Sequence, residues 1–165
     1  PLLGTTLAAQ VGVTLDETLA NWKMSKEFTL AVAELMPPED YVFRPNPEEM
    51  SFGALMIHLA SSQALRVAQI AGIDSPVKVP RQIGRADSKR IAKELIELSY
   101  DFCLQTIPKL TDAQLDKLYK VDWVERPEVT GRQLLLGMLV HSAHHRAQAE
   151  VYLRAKNIKP PPYRF

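Results

Sequence analysis

The sequence predicts an all-α chain folded as a four-helix bundle, with a long connection between the second and third helices. Three observations predict it. Four segments of roughly 18–26 residues each open on a residue suited to capping a helix and close at a proline, a glycine or an asparagine. Two of the four carry a seam of residues stepping by four and three, the spacing of a core-facing helix. The stretches between them are rich in proline and read as connections.

Thr14-Leu15-Asp16-Glu17 has the Thr-x-x-Glu form of a capping box, in which hydroxyl and carboxylate each satisfy a free backbone N–H. The first helix runs from there to about Met36, where Pro37-Pro38 stops it. A loop with Pro45 and Pro47 follows, and Ser51 caps a second helix that ends near Ala71-Gly72. Residues up to about Ala86 carry Pro76, Pro80 and Gly84 and read as an irregular connection, long enough for a crossover. Asp87 or Ser88 caps a third helix ending near Pro108. Thr111 to Lys117 adds one or two helical turns, and residues 119–129 read as extended or loop. Thr130 caps the fourth long helix, which reaches Lys156, with Asn157 suited to the left-handed position after it. The tail "KPPPYRF" cannot continue a helix.

At 165 residues and 46% apolar composition the chain suits one domain with one core. Residues 14–165 make up that domain, and residues 1–13 form an N-terminal extension. The small-residue run Thr6-Leu7-Ala8-Ala9 suits either the tail of a secretory signal peptide or a trimmed end. The expected location is therefore open between the bacterial cytoplasm and the cell envelope. The 20 basic and 19 acidic residues are mixed along the chain, which argues against a dedicated nucleic-acid surface. No apolar stretch is long enough to span a membrane. The lone cysteine, Cys103, excludes an internal disulfide and reads as a small core residue.

The chemistry concentrates in "HSAHHRAQ", residues 141–148, which holds three of the four histidines. Leu134, Met138, His141, His145, Gln148 and Tyr152 step by four and three, so His141 and His145 share the inner stripe one turn apart. On the second helix Ser51, Leu55, His58, Ser62, Leu65 and Gln69 form the same pattern, which places His58 on a seam too. Buried imidazoles need hydrogen bonds or a metal. Three of them on two facing seams point to a metal centre, the alternative being polar core residues satisfied by hydrogen bonds. Three neutral imidazoles leave coordination positions open, the pattern of a catalytic site. Imidazole suits zinc, nickel, iron or copper, and spacing does not choose among them.

His144 lies about 60° around the helix from His141 and about 100° from His145, a place beside the seam. His144 and Gln148 are the candidates for positioning a nucleophile. Gln148 can equally complete a polar core. Arg146 is expected to point away from the seam and to salt-bridge another helix. Trp22, Tyr41, Phe43 and Trp123 are expected in the core or at its rim. No glycine-rich phosphate loop, nucleophile elbow or seam carboxylate suited to general base catalysis is present.

"RPNPEEMSFGALMIHLASSQ" (residues 44–63) and "TGRQLLLGMLVHSAHHRAQAEVYLRAKNIKPPPYRF" (residues 130–165) resemble the DinB/YfiT-like superfamily of small bacterial four-helix bundles. The resemblance extends over nearly the whole chain from Thr14. It assigns the family's three metal ligands to His58, His141 and His145. Ala147 stands where glycine is common, and Asn157 where glycine often ends the helix; neither disturbs ligation. The resemblance implies a divalent transition metal, nickel or zinc, in an open pocket, and a homodimer. It also implies a small-molecule substrate and chemistry like that of thiol S-transferases, which use a low-molecular-weight thiol such as bacillithiol or mycothiol. A metal-dependent hydrolase and a non-catalytic, metal-stabilised bundle of a stress response are the alternative expectations.

Overall fold

A computed structural model of the chain describes residues 14–82, 84, 88–121 and 128–164. The N-terminal extension 1–13, Asp87 and Trp123 lie outside the described residues, and so do the expectations that fall on them.

Helix α1 spans Leu15–Leu35. Its capping box forms as expected: the Glu17 N–H donates to Thr14 Oγ1 at 3.2 Å, and the Thr14 N–H donates to Glu17 Oε2 at 2.8 Å. The segment read as a plain loop contains a 3-10 turn, Pro38–Val42. This turn buries Tyr41, whose hydroxyl donates to the Ala33 carbonyl at 2.6 Å and so folds the connection back on α1. Helix α2 spans Phe52–Ala71, capped by Ser51, and ends on Gly72 at φ 72°, a conformation that favours glycine. Helix α3 spans Ser88–Thr106, so Ser88 is its first residue and not its cap. Thr111 caps the short α4, Asp112–Asp116, with Gln114 completing a second capping box.

Part of the region read as extended or loop is a two-stranded antiparallel ribbon. Strand β1, Leu118–Lys120, pairs with β2, Glu128–Thr130, with Tyr119 opposite Val129. Thr130 then caps α5, Gly131–Ala155, through a third capping box with Gln133. Asn157 takes φ 60°, as its position required.

Four long helices of 21, 20, 19 and 25 residues build the bundle. α1 and α2 each pack on both α3 and α5. Cross-helix contacts fix the directions. Lys26 meets Asp101 and Glu34 meets Lys93, so α1 and α3 are antiparallel. Ser99 donates to the Ala60 carbonyl while Gly53 abuts Ser88, so α2 and α3 are parallel. Ser142 bonds Gln63 and Tyr152 bonds the Met50 carbonyl, so α5 runs against α2. Parallel neighbours need a long return, and the connection from Gly72 to α3 supplies it.

Trp22, Phe28, Met36, Phe52, Met56, Leu59, Ile96, Tyr100, Met138 and Leu153 fill the core. A polar layer crosses it. The Ser142 hydroxyl donates to Gln63 Oε1 at 3.1 Å, Gln63 Nε2 donates to Ser99 Oγ at 2.9 Å, and Ser99 Oγ donates to the Ala60 carbonyl at 2.7 Å. No helix among the described residues is long and apolar enough to cross a membrane.

Candidate metal centre

The expected seams hold in part: Leu55 on α2 and Leu134, Met138 and Tyr152 on α5 are buried, while the histidines sit at the edge of the buried face. Leu65, placed on the inner stripe of α2 by its spacing, is 51% exposed, while Met56, Leu59, Gln63 and Val67 form the buried stripe. On α5 the buried stripe runs through Met138, Ser142, Ala149 and Leu153. Apolar residues cover more than half of α2, with 12 of its 20 residues buried, so several phases of a four-three repeat fit equally well. His58, His141 and His145 therefore lie on the flank of the core and are half-buried. One member of the cluster, His141, also lines a cavity.

The antiparallel packing of α2 against α5 brings the three together. One ring nitrogen from each lies within 4.8 Å of the others. The ring centroids are 5.2 Å apart for His58 and His141, 4.8 Å for His58 and His145, and 4.4 Å for His141 and His145. His141 Nε2 and His145 Nε2 face each other at 3.1 Å. Two nitrogens bound at 2.0–2.1 Å to one ion in tetrahedral or octahedral geometry lie roughly 2.9–3.4 Å apart. The all-imidazole donor set and the His141–His145 spacing fit a transition metal, with a nitrogen of His58 within 4.8 Å of both. Among the described residues no cysteine or carboxylate joins the group.

Gln148 orders the centre from behind. His145 Nδ1 donates to Gln148 Oε1 at 2.7 Å, which leaves the Nε2 lone pair turned toward His141. Gln148 thus touches a ligand rather than the open side of the site. Electrostatics favour the neutral form of the three imidazoles. Burial, followed by the charges of the neighbouring imidazoles, lowers the pKa of His141 to about 4. Burial also lowers His58, aided by His145, and lowers His145 against the opposing pull of the Gln148 hydrogen bond. Imidazoles held neutral present lone pairs to a cation.

His144 does not join the triad. Its ring lies 5.1 Å from that of His145, is exposed, and stands at the wall of the adjoining cavity. That cavity holds about 550 Å³ and is lined by Val121, Val129, Gln133, Leu134, Leu136, Gly137, Val140, His141 and His144. His141 belongs to both cavity and triad, so the cavity adjoins the cluster at that residue.

Arg146 corrects its expectation. It is 6% exposed and makes no salt bridge to another helix among the described contacts. Instead Nη1 donates to Ser25 Oγ at 3.0 Å and Thr29 Oγ1 at 3.4 Å, with the guanidinium 4.5 Å from the centre of the Phe28 ring. The helical wheel put Arg146 away from the histidines; it faces α1, which sequence spacing alone does not place. The Gln63–Ser99–Ser142 layer was also missed. Its signal was a glutamine and two serines at buried phases of otherwise apolar stripes. Cys103 is buried as expected, with its thiol pKa pushed up by burial, so it is no nucleophile. Ser61 donates to the His58 carbonyl at 3.2 Å and is likewise occupied.

Comparison with known proteins places this geometry in context. A family model described as the DinB superfamily matches residues 22–149. The Bacillus subtilis (strain 168) protein YjoA, described as uncharacterized, is 26% identical over 140 residues, covering 84% of this chain and 88% of the relative. The crystal structure of that DinB-like protein superposes with a TM-score of 0.68 at 22% identity, covering 89% of this chain and 96% of its own. A DinB-like protein from Bacillus cereus ATCC 10987 superposes with a TM-score of 0.73 at 18% identity, covering 92% of this chain and 99% of its own. These two likenesses show the fold.

Proposed function

The chain belongs to the DinB superfamily, and on that footing we propose that it is a metal-dependent enzyme of the S-transferase type. His58, His141 and His145 would hold one divalent transition-metal ion, nickel or zinc. The substrates would be a low-molecular-weight thiol and a small electrophile. One observation carries the reading: a three-imidazole cluster with its nitrogens converged within 4.8 Å shares His141 with the lining of a cavity. A structural ion would be expected to draw a fourth protein ligand, and none stands among the described residues.

A divalent ion held there supplies Lewis acidity, lowering the pKa of a thiol or a water so that either is a nucleophile at neutral pH. The chain's own residues supply the rest. The three ligands stay neutral because burial opposes their protonation. Gln148 fixes the tautomer of His145. His144, exposed at the cavity wall, would accept the proton the nucleophile gives up and pass it to solvent. The largely apolar cavity would hold the electrophile. In the transfer, the thiol sulfur forms a bond to carbon as the leaving group departs with the electron pair of the broken bond.

The test uses the full chain reloaded with zinc or nickel, an activated chloro-aromatic, and bacillithiol, mycothiol, glutathione or cysteine in turn. The expected result is a metal-dependent conjugation rate with at least one thiol, abolished in His58→Ala/His141→Ala. A metal-loaded protein with no rate above background for any thiol would exclude the transferase.

A further inference from the structure

Gly137 occupies the interior of α5, one turn before His141, where glycine is less favourable than alanine because it has more backbone freedom to lose. Other glycines have a visible reason. A Cβ on Gly53 would lie 2.8 Å from Ser88 Oγ, and one on Gly131 would lie 2.7 Å from the Gln114 carbonyl oxygen. A Cβ on Gly137 would meet nothing within 4 Å. Neither close packing nor positive φ explains this glycine, and the space its missing side chain leaves belongs to the cavity beside the histidines.

The character of that cavity is one-sided. Val121 and Val129, at the ribbon, and Leu134, Leu136 and Val140, on α5, supply its walls. Gln133, His141 and His144 are its polar residues, and no lysine, arginine, aspartate or glutamate lines it among the described residues. Leu136 and Val140 are 64% and 62% exposed, an apolar face continuous with the cavity and out of keeping with a surface meant only for water. A volume of about 550 Å³ suits a small ligand.

We infer that this cavity is the acceptor subsite of the centre, that it takes the uncharged apolar body of the electrophile, an aryl or branched alkyl group, and that Gly137 sets its size. Calling the ligand a substrate rests on the proposed function; its binding does not need the ion. A carboxylate or sugar set against the valine and leucine walls would lose hydration that they do not replace, so these walls favour an apolar group over a polar thiol. The specificity determinants are then Gly137, Leu136 and Val140, with His141 joining the subsite to the centre.

The experiment titrates N-phenyl-1-naphthylamine, an uncharged fluorophore, into the zinc-loaded and the metal-free full chain. Saturable enhancement is expected in both forms. Gly137→Leu, which grows into open space, is expected to keep a cooperative thermal transition and to weaken binding at least tenfold. Gly137→Ala is expected to melt no lower than the parent, which checks that the position tolerates a side chain. 1-Methylnaphthalene is expected to displace the probe at least tenfold better than 1-naphthoate, which has a similar body but carries a charge. Absence of saturable binding, equal binding by Gly137→Leu, or equal competition by the two naphthalenes would each overturn the subsite. So would self-association that Gly137→Leu abolishes without any probe binding, which would give this face to a second copy of the chain. Zinc retention is measured on the same samples. Lost zinc with intact probe binding removes the metal reading alone, and retained zinc without probe binding removes the subsite alone.

Discussion

Gln148 accepts a hydrogen bond from His145 Nδ1 at 2.7 Å, and this contact decides which nitrogen of His145 faces the other two imidazoles. A ligand histidine free to rotate or change tautomer spends part of its time with the wrong nitrogen forward. Gln148→Leu keeps the bulk and removes the acceptor. The expected outcome is a loss of metal affinity of about 10–100-fold, with Gln148→Glu retaining most of it. Competition against a calibrated chelator measures this directly; unchanged affinity in Gln148→Leu would show that the contact does not order the ligand.

The lowered pKa values of the three histidines make the metal-free protein acid-sensitive. In the unfolded chain an imidazole takes a proton as pH falls through about 6.5, whereas folded His141 does so only near 4. Between those values the unfolded state binds more protons, so stability falls as pH falls. His58 and His145 are shifted in the same direction. The melting temperature of the metal-free protein is expected to drop between pH 7 and pH 4.5, and to drop less in His141→Ala. Identical pH profiles for the two would contradict the shift.

The buried polar layer next to the cluster links α2 to α5 through Gln63 and Ser142. Ser142→Ala strands Gln63 Oε1, and Gln63→Leu removes the acceptor of the Ser142 hydroxyl while Ser99 keeps its bond to the Ala60 carbonyl. Each is expected to cost about 1–3 kcal/mol. The double variant is expected to cost less than the two combined, because fewer partners are left stranded. Urea unfolding of the four proteins tests the coupling, and simple additivity would mean that the two side chains do not interact.

Arg146 is a buried cation that hydrogen-bonds to two hydroxyls and stacks on Phe28. Burial works against its charge. Arg146→Ala removes the packing and leaves a cavity, at a cost of about 2–4 kcal/mol. Arg146→Met fills the space without a charge to desolvate and is expected to recover most of that loss. If the methionine variant is as unstable as the alanine variant, the hydrogen bonds rather than the packing dominate.

The bundle was legible because its boundaries are local chemistry. Thr14, Ser51, Thr111 and Thr130 cap helices through their own hydroxyls, and Gly72 and Asn157 adopt the left-handed backbone expected at helix ends. The three-histidine cluster was legible for a different reason: histidine is scarce here, and its spacing placed three on two helices that meet. The phase of the seams was not legible. A helix with most of its circumference apolar fits several stripes, and only packing against α3 selected the one through Gln63. Arg146 and the ribbon escaped for a related cause. The hydroxyls that Arg146 reaches lie 117 and 121 residues away on α1, and a three-residue strand carries no periodicity to read. The role of Gln148 was left between substrate and core, because a seam position does not say whether its neighbour one turn back is its partner.

The most direct test is the metal content of the full chain, reloaded separately with zinc and with nickel and freed of unbound ion by gel filtration. One ion per chain is expected for at least one of the two metals, with retention lost in His58→Ala/His141→Ala while the variant still unfolds cooperatively. No retained ion with either metal, or equal retention by the double variant, would contradict the three-histidine centre.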